Sequence, residues 1–226
     1  MSPRRTLTTT CVVALAALPL VLAGCRFATG SGTIVGSGTP ATQQRATGSF
    51  SSVRVGTAIQ AQVTIGSPIS VSVTADDNLV SRVHTTVGGD TLDVAFESGS
   101  VSTKTPVVVV IRVPTLNGIE VGSAASVTVD GLSASDLTVH ADSAGRLTAS
   151  GSATNLTLTG ASGAAVDLSG LAVRSAHVDL GSAATAQVKA ADRVSGAVKE
   201  AATLILIGKP ATVEVSAQSA GTITYR

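Results

Sequence analysis

Apolar and polar residues alternate with a period of two along most of the chain after residue 48. Such alternation predicts strands that bury one face. From residue 116 onward the alternation recurs around six corners of small residues: Ser123–Val127, Ser143–Leu147, Ser162–Val166, Ser182–Ala186, Glu200–Leu204 and Ser219–Ile223. The corners follow one another at 20, 19, 20, 18 and 19 residues. Helical repeats need a longer period, so this spacing indicates strands that coil.

The repeat predicts an all-β protein, a single-stranded right-handed parallel β-helix of about 19 residues per repeat. Stacked copies would pair each strand with its successor about 4.8 Å away. The small corners fit this geometry, because a narrow coil has no room for large side chains where it turns. A β-sandwich with Gly/Ser turns is the alternative; it explains the alternation but not the near-constant period.

Residues 48–115 have longer alternating runs and are predicted to form a β-rich half that caps one end of the coil. Gly88 and Gly89 are expected to join Ser81–Val87 to Thr91–Phe96 as a hairpin. Val107–Val113 is expected to be a strand buried on both faces. At the other end the last repeat reaches Tyr225, which predicts an open strand edge. Either the N-terminal half covers that edge or two copies of the chain meet there in a homo-oligomer.

Residues 1–24 have the pattern of an export signal, with Arg4 and Arg5 before an apolar stretch too short to span a bilayer. The sequence Leu22-Ala23-Gly24-Cys25 is similar to the lipobox of bacterial lipoproteins, which predicts acylation of Cys25 and a membrane anchor. A plain secretory signal is the alternative, and the export route stays open. Residues 25–47, rich in Gly, Ser and Thr, are expected to be a lipidated tether, and 48–226 the folded domain.

Only 13% of the residues are charged, about half the usual share, and the net charge is +1. No stripe of Lys or Arg is present to neutralise phosphates, so the composition excludes a nucleic-acid-binding protein. Cys11 lies in the predicted signal, which leaves Cys25 as the single cysteine of the mature chain and excludes a disulfide within it.

The sequence contains few motifs that are typical of catalytic, metal-binding or cofactor-binding sites. The sequence contains neither Cys-x-x-Cys nor His-x-x-x-His, no P-loop, and no other pattern that calls for a metal or cofactor. Ser162 lies in the segment nearest to a nucleophile elbow, but the closing Gly is missing and the residue falls on a repeat corner. The run Asp76-Asp77-Asn78 suits either calcium or a turn, and a turn is the commoner use.

The coil predicts two adjacent ladders of outward residues on one face. One ladder contains Glu120, His140, Thr159 and Asp179, continuing to Ala197 and Ser216, and the other contains Thr138, Thr157, His177, Ser195 and Glu214. We call these two rows the polar strip. It suits a binding surface or an acid/base pair, since Glu120 would neighbour His140 and His177 would lie near Asp179. An ordinary solvated face is the simpler interpretation.

A family resemblance covers most of the mature chain. The segments that carry the resemblance are, in order, Gly36-Ser37-Gly38, Arg45, Gly48–Val55, Val63–Ile65, Leu92–Val94, Ile119–Ala124 and the Gly/Ser/Ala-Val repeats. This order resembles the bacterial head GIN family of putative adhesins. The resemblance implies a right-handed β-helix on an exported envelope protein, without catalytic residues to carry over.

The sequence therefore predicts a non-enzymatic envelope lipoprotein that presents a β-helical face to an envelope or extracellular ligand. A polysaccharide lyase or hydrolase on the same scaffold is the alternative. Such enzymes generally cluster several Asp, Lys or Arg residues, and the polar strip contains no Lys or Arg. The absence of Trp also weakens glycan recognition by ring stacking.

Overall fold

The structure is a computed structural model and describes residues 33–226. Within these residues it contains seventeen strands and one 3₁₀ turn at Val80–Arg82. The strands are β1 Ile34–Val35, β2 Pro40–Arg45, β3 Ser52–Val55, β4 Gln60–Ile65, β5 Ser70–Asp76, β6 Val83–Gly88, β7 Thr91–Phe96, β8 Val101–Ser102, β9 Val108–Val113, β10 Gly118–Val121, β11 Ser126–Ala141, β12 Arg146–Gly160, β13 Ala165–Leu180, β14 Thr185–Val198, β15 Thr203–Leu206, β16 Thr212–Ala217 and β17 Thr222–Tyr225. No helix in this part of the chain is long and apolar enough to cross a membrane.

The strands build a parallel β-helix of about five turns, as the repeat predicts. The long strands β11, β12, β13 and β14 stack in parallel and each bends around the coil, with register shifts where it turns. At the first of these shifts Gly151 adopts a φ of +127°, and a Cβ there would lie 2.1 Å from the carbonyl oxygen of Leu132. Only glycine fits this corner.

The corners of small residues are two-residue turns with positive φ at both central positions. Ser123 and Ala124 have φ values of 49° and 58°, and the N–H of Ala125 donates to the Gly122 carbonyl at 2.9 Å. The N–H of Ala124 then donates to the carbonyl of Ser143 in the next coil, also at 2.9 Å. The same pair of positive φ values recurs at the corners that begin at Thr57, Ser143, Ser162, Ser182, Glu200 and Ser219. The corners thus form one hydrogen-bonded column.

The inward residues fill one continuous core of Val, Leu, Ile and Ala. It extends from Phe50 to Leu206, and the central residues Leu158, Leu168 and Val178 are fully buried. The period-two alternation supplies this core directly, because each strand sends alternate side chains inward.

The N-terminal half forms the predicted cap, but its coils stack out of sequence order. Strand β3 lies between β10 and β7, and β4 lies between β11 and β9. The antiparallel strands β6, β5 and β2 complete the cap. The hairpin between β6 and β7 confirms the turn at Gly88 and Gly89. The expectation that Val107–Val113 is buried on both faces is wrong, because β9 alternates buried and exposed residues and Val110 is exposed. Since all these strands lie at the end opposite β16 and β17, the expectation that this half covers the C-terminal edge is wrong.

The boundary of the predicted tether at residue 47 is also wrong. Strand β2 pairs antiparallel with β5, and β1 pairs with β8. The Asp76–Asn78 run fixes this segment. Asp76 is fully buried and accepts from the N–H groups of Gly38 and Lys104 at 2.8 and 2.9 Å, while the Asn78 Oδ1 accepts from the N–H of Ser37 at 2.9 Å. The run is a structural turn. The predicted signal and Cys25 lie outside the described residues.

Candidate binding face

The strand register places the residues of the polar strip in two adjacent ladders. Glu120 is paired with His140, His140 with Thr159, and Thr159 with Asp179. In the second ladder the register joins Thr138, Thr157, His177, Ser195 and Glu214. The side chains point outward because their strand neighbours are the buried core residues. The ladders therefore present hydroxyl, carboxylate and imidazole groups on one surface.

The side-chain partners of Glu120 and His140 differ from the expected pair. The Arg54 Nε donates to the Glu120 Oε2 at 2.8 Å, and the His140 Nε2 lies 3.5 Å from the Asp142 Oδ2. The Glu120 carboxylate raises the pKa of Arg54, first through this hydrogen bond and second through its charge. Arg54 extends the strip across β3, so the face does contain a cation.

Sequence reasoning missed Arg54 and Asp142 for different reasons. Asp142 follows His140 by two residues and was available from the alternation alone. Arg54 is an outward residue between Val53 and Val55, but only the non-sequential stacking of β3 on β10 brings it beside Glu120.

A second cluster in the polar strip consists of His177 and the side chains of Asp179 and Ser195. The His177 Nε2 lies 3.1 Å from the Asp179 Oδ2, and the His177 Nδ1 lies 3.2 Å from the Ser195 Oγ. The imidazole and the carboxylate are each about half exposed, 52% and 51%. Catalysis by a serine, histidine and acid also needs preorganised donors for the oxyanion and a site that excludes water. On this open face the cluster suits hydrogen bonding to a ligand.

The strip contains a shallow depression at Gly118. Gly118 occupies a place in the second ladder between Ser52 and Thr138, and a Cβ there would lie 2.4 Å from the Ser52 Oγ. The missing side chain opens a groove of about 250 Å³, bordered by Asn117, Glu120 and His140 among others.

The remaining candidates for chemistry are structural. Ser162 sits at a corner with a φ of 50°, as its place in the repeat predicts. Within residues 33–226, no group of three or more His, Cys, Asp or Glu side chains is arranged to hold a metal ion.

Several solved structures of bacterial proteins superpose on this chain. A putative adhesin from Bacteroides fragilis NCTC 9343 superposes with a TM-score of 0.70 at 19% identity, over 85% of this chain and 100% of that chain. A putative adhesin from Parabacteroides merdae ATCC 43184 superposes with a TM-score of 0.57 at 14% identity, over 87% and 100%. A putative lipid binding protein from Parabacteroides distasonis ATCC 8503 gives 0.56 at 16% identity, over 86% and 100%. At these identities the likeness shows the fold.

No curated protein matches the chain in sequence. The sequence pattern of one family, by contrast, matches residues 49–210, which is most of the coil and its cap. That span includes the strands that carry Arg54, Glu120, His140 and His177. The chain therefore belongs to the family of the putative auto-transporter adhesin, head GIN domain.

Proposed function

We propose that this protein is a non-enzymatic, lipid-anchored module of the bacterial cell envelope that binds a surface ligand through its polar strip. The observation that carries the proposal is the register of the two ladders, which brings Glu120, His140, Thr159, His177 and Asp179 onto one outward face. Family membership supports the adhesin part of the proposal. A rigid row of exposed hydrogen-bonding groups suits recognition of an extended ligand, because the row is preorganised before binding.

Binding through the strip is tested by retention of fractionated envelope polymers and proteins on immobilised protein. The bait is the mature chain, residues 25–226, with Cys25→Ser to keep it water-soluble. The double variant Glu120→Ala/His140→Ala is expected to lose the retained species. A matched control is Asp192→Ala/Arg174→Ala, an exposed pair 3.7 Å apart away from these ladders. Retention that survives in the strip variant contradicts the proposed face.

Release of oligosaccharides from the same polymers is monitored in parallel, because the alternative function is a carbohydrate-active enzyme. The proposal predicts retention without product. Product that disappears in His177→Ala or Glu120→Ala would instead establish the enzyme.

The lipid anchor rests on the lipobox that ends at Cys25. In a bacterial host, the protein is expected to incorporate an alkynyl fatty acid and to fractionate with membranes. Cys25→Ser is expected to abolish both, whereas Cys11→Ser leaves both unchanged because Cys11 lies in the predicted signal. Labelling that survives Cys25→Ser contradicts the anchor.

A further inference from the structure

We propose that a cavity in the cap is a binding pocket for a single neutral sugar residue of a glycan. The outermost coil passes from β7 to β9, and there residues 97–107 replace the two-residue corner used by the coils beneath. This segment does not stack on the Thr57–Ala58 corner as another turn would. It leaves a cavity of about 360 Å³ between itself and that corner.

The cavity walls combine an aromatic ring, aliphatic side chains and hydroxyl groups. Phe96, Val101 and Val107 supply the apolar part, and the hydroxyl-bearing residues are Thr57, Ser98 and Thr103. Phe96 is the last inward residue of β7 and stays half-buried because no regular corner covers it. A protein with three phenylalanines and no tryptophan thus places one of its few aromatic rings in this cavity.

Glu97 borders the cavity, but its carboxylate contacts two basic side chains that do not line it. The Arg82 Nη1 donates to the Glu97 Oε2 at 3.2 Å, and the His84 Nε2 lies 3.9 Å from the Glu97 Oε1. No Lys, Arg or His is among the residues that line the cavity, so it has no cation to pair with a uronate or a phosphate. This lining favours a neutral ligand.

These groups match the chemistry of a pyranose ring. A sugar presents adjacent hydroxyls, which the Thr57, Ser98 and Thr103 hydroxyls can bind, and one face of C–H groups, which packs on an aromatic ring such as Phe96. Small-ligand pockets combine apolar walls with a few placed polar groups in the same way. The volume suits one sugar residue, with the rest of the glycan outside.

Residues 97–107, which form one wall of the cavity, are held in place by β1, the first strand of the described chain. Strand β8 pairs with β1, and the N–H of Lys104 donates to the buried Asp76 at 2.9 Å. The pocket is therefore preformed, which reduces the entropy lost on binding. It shares no residue with the polar strip, so this proposal is independent of the proposed function.

The test is binding of neutral methyl glycosides of glucose, galactose, mannose and N-acetylglucosamine, measured by saturation-transfer NMR, together with a glycan array. Ser98→Trp fills the cavity from its exposed rim and is expected to weaken binding by about tenfold or more. Ser100→Trp is the matched control, since Ser100 is an equally exposed residue of the same segment outside the cavity lining. It is expected to leave binding unchanged.

A second pair of variants removes one hydroxyl group each. Thr103→Val is expected to weaken binding by about tenfold, because it removes a hydrogen-bonding group from the cavity wall at nearly constant side-chain volume. Thr128→Val is the control, because Thr128 is an exposed threonine of β11 that lies outside both the cavity lining and the polar strip. Thermal melts confirm that each variant is folded. No binding to any glycoside or array glycan overturns the proposal, as does binding that Ser98→Trp leaves intact.

Discussion

The Arg54 Nε donates a hydrogen bond of 2.8 Å to the Glu120 Oε2 across 66 positions of sequence. The pair crosses the junction between the cap and the repeating coil, because β3 and β10 are neighbours there. Both side chains belong to the ladder that continues through His140. This contact joins the two halves of the candidate binding face.

The Arg54–Glu120 pair is expected to contribute little to stability. The two side chains are 52% and 43% exposed, and exposed ion pairs contribute about 0.2–1 kcal/mol. A double-mutant cycle with Arg54→Ala and Glu120→Ala, followed by chemical denaturation, measures the coupling energy. The coupling is expected to shrink in high salt. A value well above this range, or one insensitive to salt, would contradict the exposed geometry.

Asp76 is expected to make the stability of the cap depend on acidic pH. Burial on its own raises the pKa of this carboxyl, but hydrogen bonds from the backbone N–H groups of Lys104, Thr105 and Gly38 together hold the pKa below its ordinary value. The stabilisation is therefore complete above the unfolded pKa of about 4 and is lost as pH falls through the lower folded pKa.

Asp76→Asn tests this dependence through Tm measured from neutral to acidic pH. The substitution is expected to lower Tm at pH 7, because an amide cannot accept all these hydrogen bonds, and to flatten the decline of Tm in acid. Asp192→Asn, at an exposed carboxylate, serves as the control and is expected to leave the profile unchanged. A variant with the wild-type Tm at pH 7 would contradict the role of Asp76.

Truncation of a side chain at the centre of the aliphatic core is expected to destabilise the protein strongly. Leu158 is fully buried in β12, and Leu158→Ala is expected to lower the free energy of unfolding by about 2–5 kcal/mol. Thr157→Ala, at the adjacent outward position, is expected to change it by less than about 0.5 kcal/mol. Denaturant titration of the two variants measures the difference. Similar values for both would mean that the inward and outward faces are misassigned.

The corner column is expected to tolerate glycine. Ala144 has a φ of 60° and is exposed, and a left-handed conformation costs an alanine about 1–2 kcal/mol. Glycine avoids this cost but loses about 0.5–1 kcal/mol of backbone entropy, so Ala144→Gly is expected to be neutral or stabilising by up to about 1.5 kcal/mol. Ala149→Gly, in a buried strand position, is expected to destabilise. Clear destabilisation by Ala144→Gly would contradict the turn geometry.

Contact between two copies at the C-terminal edge stays a prediction. The strands β16 and β17 end the stack, Val213, Val215 and Ile223 are only half-buried there, and Tyr225 is 61% exposed. The soluble Cys25→Ser chain is expected to dimerise in light scattering, since pairing of the edges would bury these side chains. Val215→Lys is expected to give monomers, whereas Val110→Lys, at an exposed valine of β9, is not. A wild-type monomer at the highest soluble concentration contradicts the contact.

Local patterns predicted the coil and most of its candidate face. The alternation identifies inward residues such as Val127 and Leu147, and the spacing of the corners places His140 one coil from Glu120. The segment Pro40–Arg45 shows where local evidence fails. Its composition is that of a flexible tether, but pairing with β5 orders it, and the carboxylate of Asp76 holds Gly38 just before it. The paired residues of β5 lie 26 to 36 positions away along the chain.

The sequence by itself determined the β-helix, its core and the register of the repeating strands, because period-two alternation and a period of about 19 residues are properties of short stretches. Only the tertiary structure decided that β3 lies between β7 and β10, which places Arg54 beside Glu120. It likewise decided that residues 97–107 leave a cavity over the Thr57–Ala58 corner. The physical reason is that these features depend on which strand edges meet, and distant edges offer the same backbone donors and acceptors whatever their sequence.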